Sequence, residues 1–300
     1  MINTDDRNTG DITTRAGFTV NHYTNRIVTE GGAGTRFGFF DLGLLAGRAC
    51  LAADFVYWGS QKFLNPPNIA HVLESAGLPG ALVYPTFLLQ IFGGLMILAG
   101  FQARLAAALL GWFCIAAPSI FWLNSPMNLT RDYSAAGGFI FLLILGAGKL
   151  SCDALLPRRF DGLARLWAKV GDHWLGRGLL IARLLIALPL ITDGALRVRE
   201  VVVGGQTDPA YQIGHLPMML MIAAELAAGL SIALGLRARA AALAILPLWA
   251  WSAIAFHMPP LRLMADDGLS ITKDLTTAGA LLILAAHCPR KTATKLAAAT

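Results

Sequence analysis

Charge is scarce in this 300-residue chain: Asp, Glu, Lys and Arg make up 14% of it, against about 25% in soluble domains. Chemistry-bearing signatures are scarce as well. There is no Gly-x-Gly-x-x-Gly, no phosphate loop and no nucleophile elbow, so flavin or nucleotide chemistry would have to come from a partner. Four cysteines, Cys50, Cys114, Cys152 and Cys288, form no Cys-x-x-Cys pair. No basic run interleaves with aromatics, which argues against nucleic acid as the reason for the net charge of +6. Residues 1–41 hold no apolar stretch of the kind a cleaved signal peptide needs, so the first span is expected to serve as the targeting signal.

What fills the chain is apolar. Hydrophobic residues reach 56% and mean hydropathy is +0.59. No charged residue occurs from Ser75 to Ala103, from Leu105 to Thr130, or from Ala240 to Leu261. Each run matches the roughly 20 residues that a helix needs to cross a bilayer. The runs do not alternate as barrel strands would, so the expected fold is an all-α membrane protein. The apolar pattern predicts eight transmembrane helices, near 42–61, 82–101, 105–123, 134–149, 178–197, 218–236, 240–257 and 275–289. The fourth of each set of four is short, bounded by Asp and by Lys or Arg whose stems can snorkel. With a cytoplasmic N-terminus, 16 basic residues fall inside and six outside: Lys62, Arg131, Arg197, Arg199, Arg262 and Lys273. That bias puts both termini in the cytoplasm of a prokaryotic cell whose inner membrane holds the chain.

The eight helices are two copies of four. Arg48, Gly59, Lys62, Gly94, Leu95, Gly100, Ala103 and Arg104 return 135 residues later as Arg183, Gly194, Arg197, Gly229, Leu230, Gly235, Ala238 and Arg239. Gly43-Leu44-Leu45 returns at the same offset as Gly178-Leu179-Leu180. A constant offset of this kind marks a tandem duplication. An even helix number per copy makes the repeats parallel rather than inverted. The expected organisation is a disordered tail over 1–41, a first unit over 42–156, a linker over 157–177, a second unit over 178–289 and a tail over 290–300. In the linker, Phe160, Leu163, Trp167, Val170 and Trp174 fall on one helical stripe among Arg158, Arg159, Arg165, Lys169 and Arg177. Such a helix suits either the inner leaflet surface or the cytoplasmic end of the bundle.

The first half resembles the DoxX family of small four-helix membrane proteins at Gly59-Ser-Gln-Lys62, Ala76-Gly-Leu-Pro79, Gly93-Gly94-Leu95 and Gly146-Ala-Gly-Lys-Leu-Ser-Cys-Asp-Ala154. The second half is similar in part, through Arg183, Gly194, Arg197, Leu216-Pro217, Gly229, Gly235, Arg239 and Phe256-His-Met-Pro259, while its closing motif reads Ala285-Ala-His-Cys-Pro-Arg290. The resemblance implies an accessory subunit of a quinone-linked redox system, with a soluble or membrane redox partner and with quinone as ligand rather than an intrinsic cofactor. Transport or binding of a small membrane-soluble ligand, and a non-catalytic scaffold, stay open beside it.

Charges within the spans mark the candidate site. Asp54 and Glu225 are the acids nearest mid-span, where a carboxylate costs about 2.5–3.5 kcal/mol and so needs a partner, water or a proton. Glu225 aligns with Gln90 in the other copy, and Arg48 and Arg183 lie inside the cytoplasmic ends of the first and fifth helices. Arg48, Asp54, Gln90, Arg183 and Glu225 would together line a polar pocket for a quinone head group or an anionic ligand. The alternative is structural: arginines reaching the headgroups, acids bonding across the duplicated interface. Asp193 and Arg197 read as a local i, i+4 ion pair. His71, His215 and His257 share the outer side without the spacing of metal ligands, and no metal site is assigned.

Overall fold

Proline and glycine set the helix ends. A computed structural model describes residues 38–121, 126–155, 172–203, 215–257 and 268–287, and every regular element among them is helical. Helix α1 (Phe39–Leu64) starts where the Asp41 carboxylate accepts the Gly38 N–H at 3.0 Å. It stops at Asn65 because Pro66 and Pro67, with no N–H to donate, instead open the short α2 (Pro66–Ser75). Helix α3 (Val83–Ala99) ends on Gly100, whose φ of 65° is the left-handed turn that glycine adopts without strain. Helices α4 (Ala103–Phe121), α5 (Pro126–Leu145) and α6 (Cys152–Leu155) complete the first unit. The second holds α7 (Asp172–Val203), α8 (His215–Leu234), α9 (Ala238–His257) and α10 (Gly268–His287).

Gly80–Ala99, Ala103–Phe121 and Trp174–Arg199 are long and apolar enough to cross a membrane, with shorter apolar stretches at Met219–Leu234 and Ala238–Ala250. The fourth helices correct the sequence expectation. They are not the short segments 134–149 and 275–289; each is 20 residues long, starting at Pro126 and at Gly268. Their Arg131-Asp132 and Lys273-Asp274 pairs lie in the second turn and are buried rather than snorkelling. The tails before Gly38 and after His287, and most of the linker helix, lie outside the described residues. The end of that linker, with Trp174 and Arg177, is already part of α7.

The duplication is visible in the packing. Gly59 sits against Gln90 and Ile91 on α3, and Gly194 sits against Glu225 and Leu226 on α8. Gly94 meets Phe55 and Val56, and Gly229 meets Leu190 and Ile191. Around the bundle α1, α3, α4 and α5 pack in chain order, α5 packs on α7, and α7, α8, α9 and α10 follow until α10 closes on α1. Helices α5 and α10 also meet each other. The first and fourth helices of each unit therefore pack far more on the other unit than on each other. Small residues allow that approach: a Cβ on Gly279 would lie 2.8 Å from the Gly47 carbonyl oxygen, and one on Gly137 would lie 2.6 Å from that of Ala182. The apolar core runs through both units, from Leu51, Phe55 and Phe139 to Ile186, Leu190, Ile232 and Leu284.

Candidate functional site

The charges in the second turns of α5 and α10 must find partners inside the bundle, because leaving one unpaired away from water costs several kcal/mol. They find each other. Arg131 Nη2 lies 3.2 Å from Asp274 Oδ1, and Lys273 Nζ pairs with Asp132. These two contacts are the same contact seen twice, since Thr130-Arg131-Asp132 and Thr272-Lys273-Asp274 are equivalent triplets on equivalent helices. Each unit's base takes the other unit's acid.

Further groups gather on both sides. On one side Arg131 also holds Asp193 Oδ2 at 3.1 Å, and Arg197 Nη1 holds Glu225 Oε1 at 2.5 Å. The expected local pair of Asp193 with Arg197 is thus replaced by two cross-helix pairs, because partners on α5 and α8 lie within reach. The Arg131 guanidinium faces the Trp249 ring, whose Nε1 donates to the Asp274 carbonyl at 3.3 Å. On the other side Asp54 lies beside Lys273, Thr272 and Trp58, and the Trp58 Nε1 donates to Thr272 Oγ1 at 3.0 Å. Lys62 turns toward Asp132 and Asp54 with its ammonium 5.1 Å from the Phe113 ring. Asp193 is 0% exposed, Glu225 1% and Asp54 4%, so the cluster is an interior feature of the bundle.

Among the described residues charge does not balance there: five acids (Asp54, Asp132, Asp193, Glu225 and Asp274) face four bases (Lys62, Arg131, Arg197 and Lys273). Nor are the oxygens all used: Asp54 Oδ1, Asp193 Oδ1 and Glu225 Oε2 are buried without a hydrogen-bond partner, as are Gln90 Oε1 and Ser134 Oγ. Unused buried acceptors are costly, which makes them places where a proton or a donor ligand is favoured. Arg131 Nε is buried without an acceptor as well, so the cluster holds an unused donor beside these unused acceptors.

The five residues singled out from the sequence are thus divided. Asp54 and Glu225 belong to the cluster, one on each side, and Gln90 is buried beside Gly59 at the position equivalent to Glu225. Arg48 lies six residues before Asp54 on α1 and does other work. Its Nη2 donates to the Leu150 carbonyl, and a side chain on Gly100 would overlap its Nη1. It pins the closing motif, whose Asp153 accepts from the Gln102 and Ala103 N–H groups at 2.7 and 2.9 Å and so caps α4. Arg183 repeats the approach to Gly235. Sequence reading missed Arg131, Asp132, Lys273 and Asp274 as site residues. The signal was there, as Thr-Arg-Asp and Thr-Lys-Asp, but at an offset of 142 instead of 135.

His71 is exposed on α2, and the side chains of His215 and His257 lie outside the described residues. Among the described residues no group of three or more His, Cys, Asp or Glu could hold a metal ion.

A family model described as DoxX matches residues 43–124 and again 178–258, one match per unit. The chain is also similar to the inner membrane protein YqjF of Escherichia coli (strain K12), with 29% identity over 125 residues, 40% of this chain and 96% of that protein. No solved structure matches.

Proposed function

Because the chain belongs to the DoxX family, twice over in tandem, we propose that it is a multi-pass inner-membrane accessory subunit of a quinone-linked redox system whose own contribution is proton exchange at the buried ion cluster. The surplus of one carboxylate over the bases, with unpaired oxygens on Asp54, Asp193 and Glu225, is the observation that carries this reading. A carboxylate with no cation to neutralise it inside a bilayer protein is the one positioned to take and give a proton. All eight long helices cross in this reading, with both termini in the cytoplasm. The cluster then lies in the outer half, where the α1 and α7 C-terminal ends meet the α5 and α10 N-terminal ends.

A bound quinol supplies electrons and protons; the electrons pass to a partner subunit, since the chain carries no motif for a cofactor of its own. Glu225 Oε2 and Asp54 Oδ1 would accept the hydroxyl hydrogens. Arg197 is paired with Glu225 and orients it, while Lys273, paired with Asp132, places its positive charge beside Asp54. Arg131 Nη2, in contact with both Asp193 and Asp274, holds them in place as protons come and go.

The test is extraction of the protein from native membranes in mild detergent, followed by mass spectrometry of the bound small molecules. The wild type should carry quinone, and Glu225→Gln and Asp54→Asn should carry less at unchanged folded yield. A wild type without quinone, with both variants folding normally, contradicts the quinone reading. Uptake of a solute into proteoliposomes that depends on Glu225 would favour a transporter instead.

A further inference from the structure

The inner ends of the two units differ in a way the duplication makes measurable. A notch opens between Phe40 and Gly43 of α1, Arg239 and Leu243 of α9, and Leu282, Ala285 and Ala286 of α10. Its equivalent on the other seam, between α7, α4 and α5, is filled. There a Cβ on Gly178 would meet Ile144 Cδ1 at 2.8 Å, whereas one on Gly43 would find its nearest neighbour, Ala286 Cβ, at 4.0 Å. Ala285 and Ala286 stand where the first unit has Leu143 and Ile144. Two large-to-small exchanges in one copy have left the notch open.

The rim of the notch differs as well. In the first unit the start of α4 is capped by the Asp153 carboxylate, and Arg104 lies over Gly146 of the same closing motif. In the register of 142 that relates Arg131 to Lys273, Ala285-Ala-His287 still belongs to α10 instead of a closing motif and the position of Asp153 falls on Lys295; residues 288–300 contain no Asp or Glu at all. No carboxylate among the described residues accepts from Arg237 or Ala238 at the start of α9. Arg239 sits over the Phe40 ring at 4.2 Å, and Arg237 is exposed two residues before it. Where one unit supplies its own anion, the described residues of the other present two guanidinium groups beside an apolar notch.

We propose that this notch binds one anionic phospholipid of the surrounding leaflet, its acyl chain against Gly43, Leu243, Leu282, Ala285 and Ala286 and its phosphate on Arg239. An apolar cleft with guanidinium groups at its rim matches a lipid in both parts, and guanidinium suits phosphate because it can donate two parallel hydrogen bonds. The site lies at the opposite end of the bundle from the ion cluster, and it stands whether or not quinone binds there.

The test uses the full chain in nanodiscs of mixed phosphatidylglycerol and phosphatidylcholine, released into the gas phase and weighed with its retained lipids. Wild type should hold one phosphatidylglycerol. Ala286→Ile, which gives the second unit the residue of the first, should reduce retention about tenfold, and Arg239→Gln should abolish the preference for phosphatidylglycerol over phosphatidylcholine. Ile144→Ala, which opens the filled seam, should leave the original lipid bound and shows that the protein tolerates a change at this depth. Wild type without retained phosphatidylglycerol overturns the proposal. So does Ala286→Ile or Arg239→Gln, folded as judged by its melting temperature, that retains phosphatidylglycerol like wild type.

Discussion

The two sides of the ion cluster descend from one unit but differ in chemistry. Around Arg131 there are two arginines and three acids, Asp193, Glu225 and Asp274; around Lys273 there are two lysines and two acids, Asp54 and Asp132. Where the second unit has Glu225 the first has Gln90, and where it has Arg197 the first has Lys62. A guanidinium is planar and stays charged: Arg131 brings one nitrogen, Nη2, to both Asp193 and Asp274 and turns its plane toward the Trp249 ring. An ammonium is a point charge on a flexible stem, and Lys62 uses that freedom to lie between Asp132, Asp54 and the Phe113 ring. The difference separates two tasks that a symmetric pair of units would share: the arginine side fixes the helices while holding the surplus acid, and the lysine side adapts.

The largest effect should come from removing Arg131. Arg131→Ala takes the cation that both Asp193 and Asp274 contact out of the buried cluster, which should cost about 3–5 kcal/mol and collapse the folded yield in detergent. Lys273→Ala should cost less, because Lys62 remains beside Asp132 and Asp54. Equal losses in the two variants would erase the comparison. A smaller change is Arg131→Lys, which keeps the charge but loses the planar group that faces the Trp249 ring; thermal melting should show a loss of about 1–2 kcal/mol. The reciprocal Lys273→Arg should melt closer to wild type, since it adds donors where Asp54 Oδ1 has none.

Much of this arrangement could be read from the chain. The offset of 135 gave the two parallel units, and the spans expected at 82–101 and 105–123 placed α3 and α4 within two residues of their observed ends. The fourth helices were harder to read for one physical reason. A run of apolar residues ends at a charge, so Arg131-Asp132 and Lys273-Asp274 look like helix ends although they are buried inside the helices. A longer connection ahead of α10 then moved the second triplet out of the register of the first three helices. Asp54 and Glu225 were legible as buried acids, but their partners sit on helices distant in sequence. Arg48 was legible as a buried cation whose partner, the Leu150 carbonyl, is a backbone atom that no residue type announces.

The smallest change in stability should come from Glu225→Gln, which makes the second unit resemble the first at Gln90. It removes the surplus acid and leaves Arg197, whose side chain is 16% exposed, free to reach water or headgroups. We expect a change under about 1 kcal/mol in the same melting assay, and a loss well beyond that would assign Glu225 a structural role.

The cluster's claim to hold an exchangeable proton is tested most directly by infrared difference spectroscopy of the protein in native-like lipid, comparing H₂O with D₂O. The C=O stretch of a protonated carboxylic acid should be present in wild type, shift in D₂O, and be lost or strongly reduced in Glu225→Gln. A wild-type spectrum with no protonated carboxyl signal, or one that Glu225→Gln leaves unchanged, contradicts proton exchange at this site.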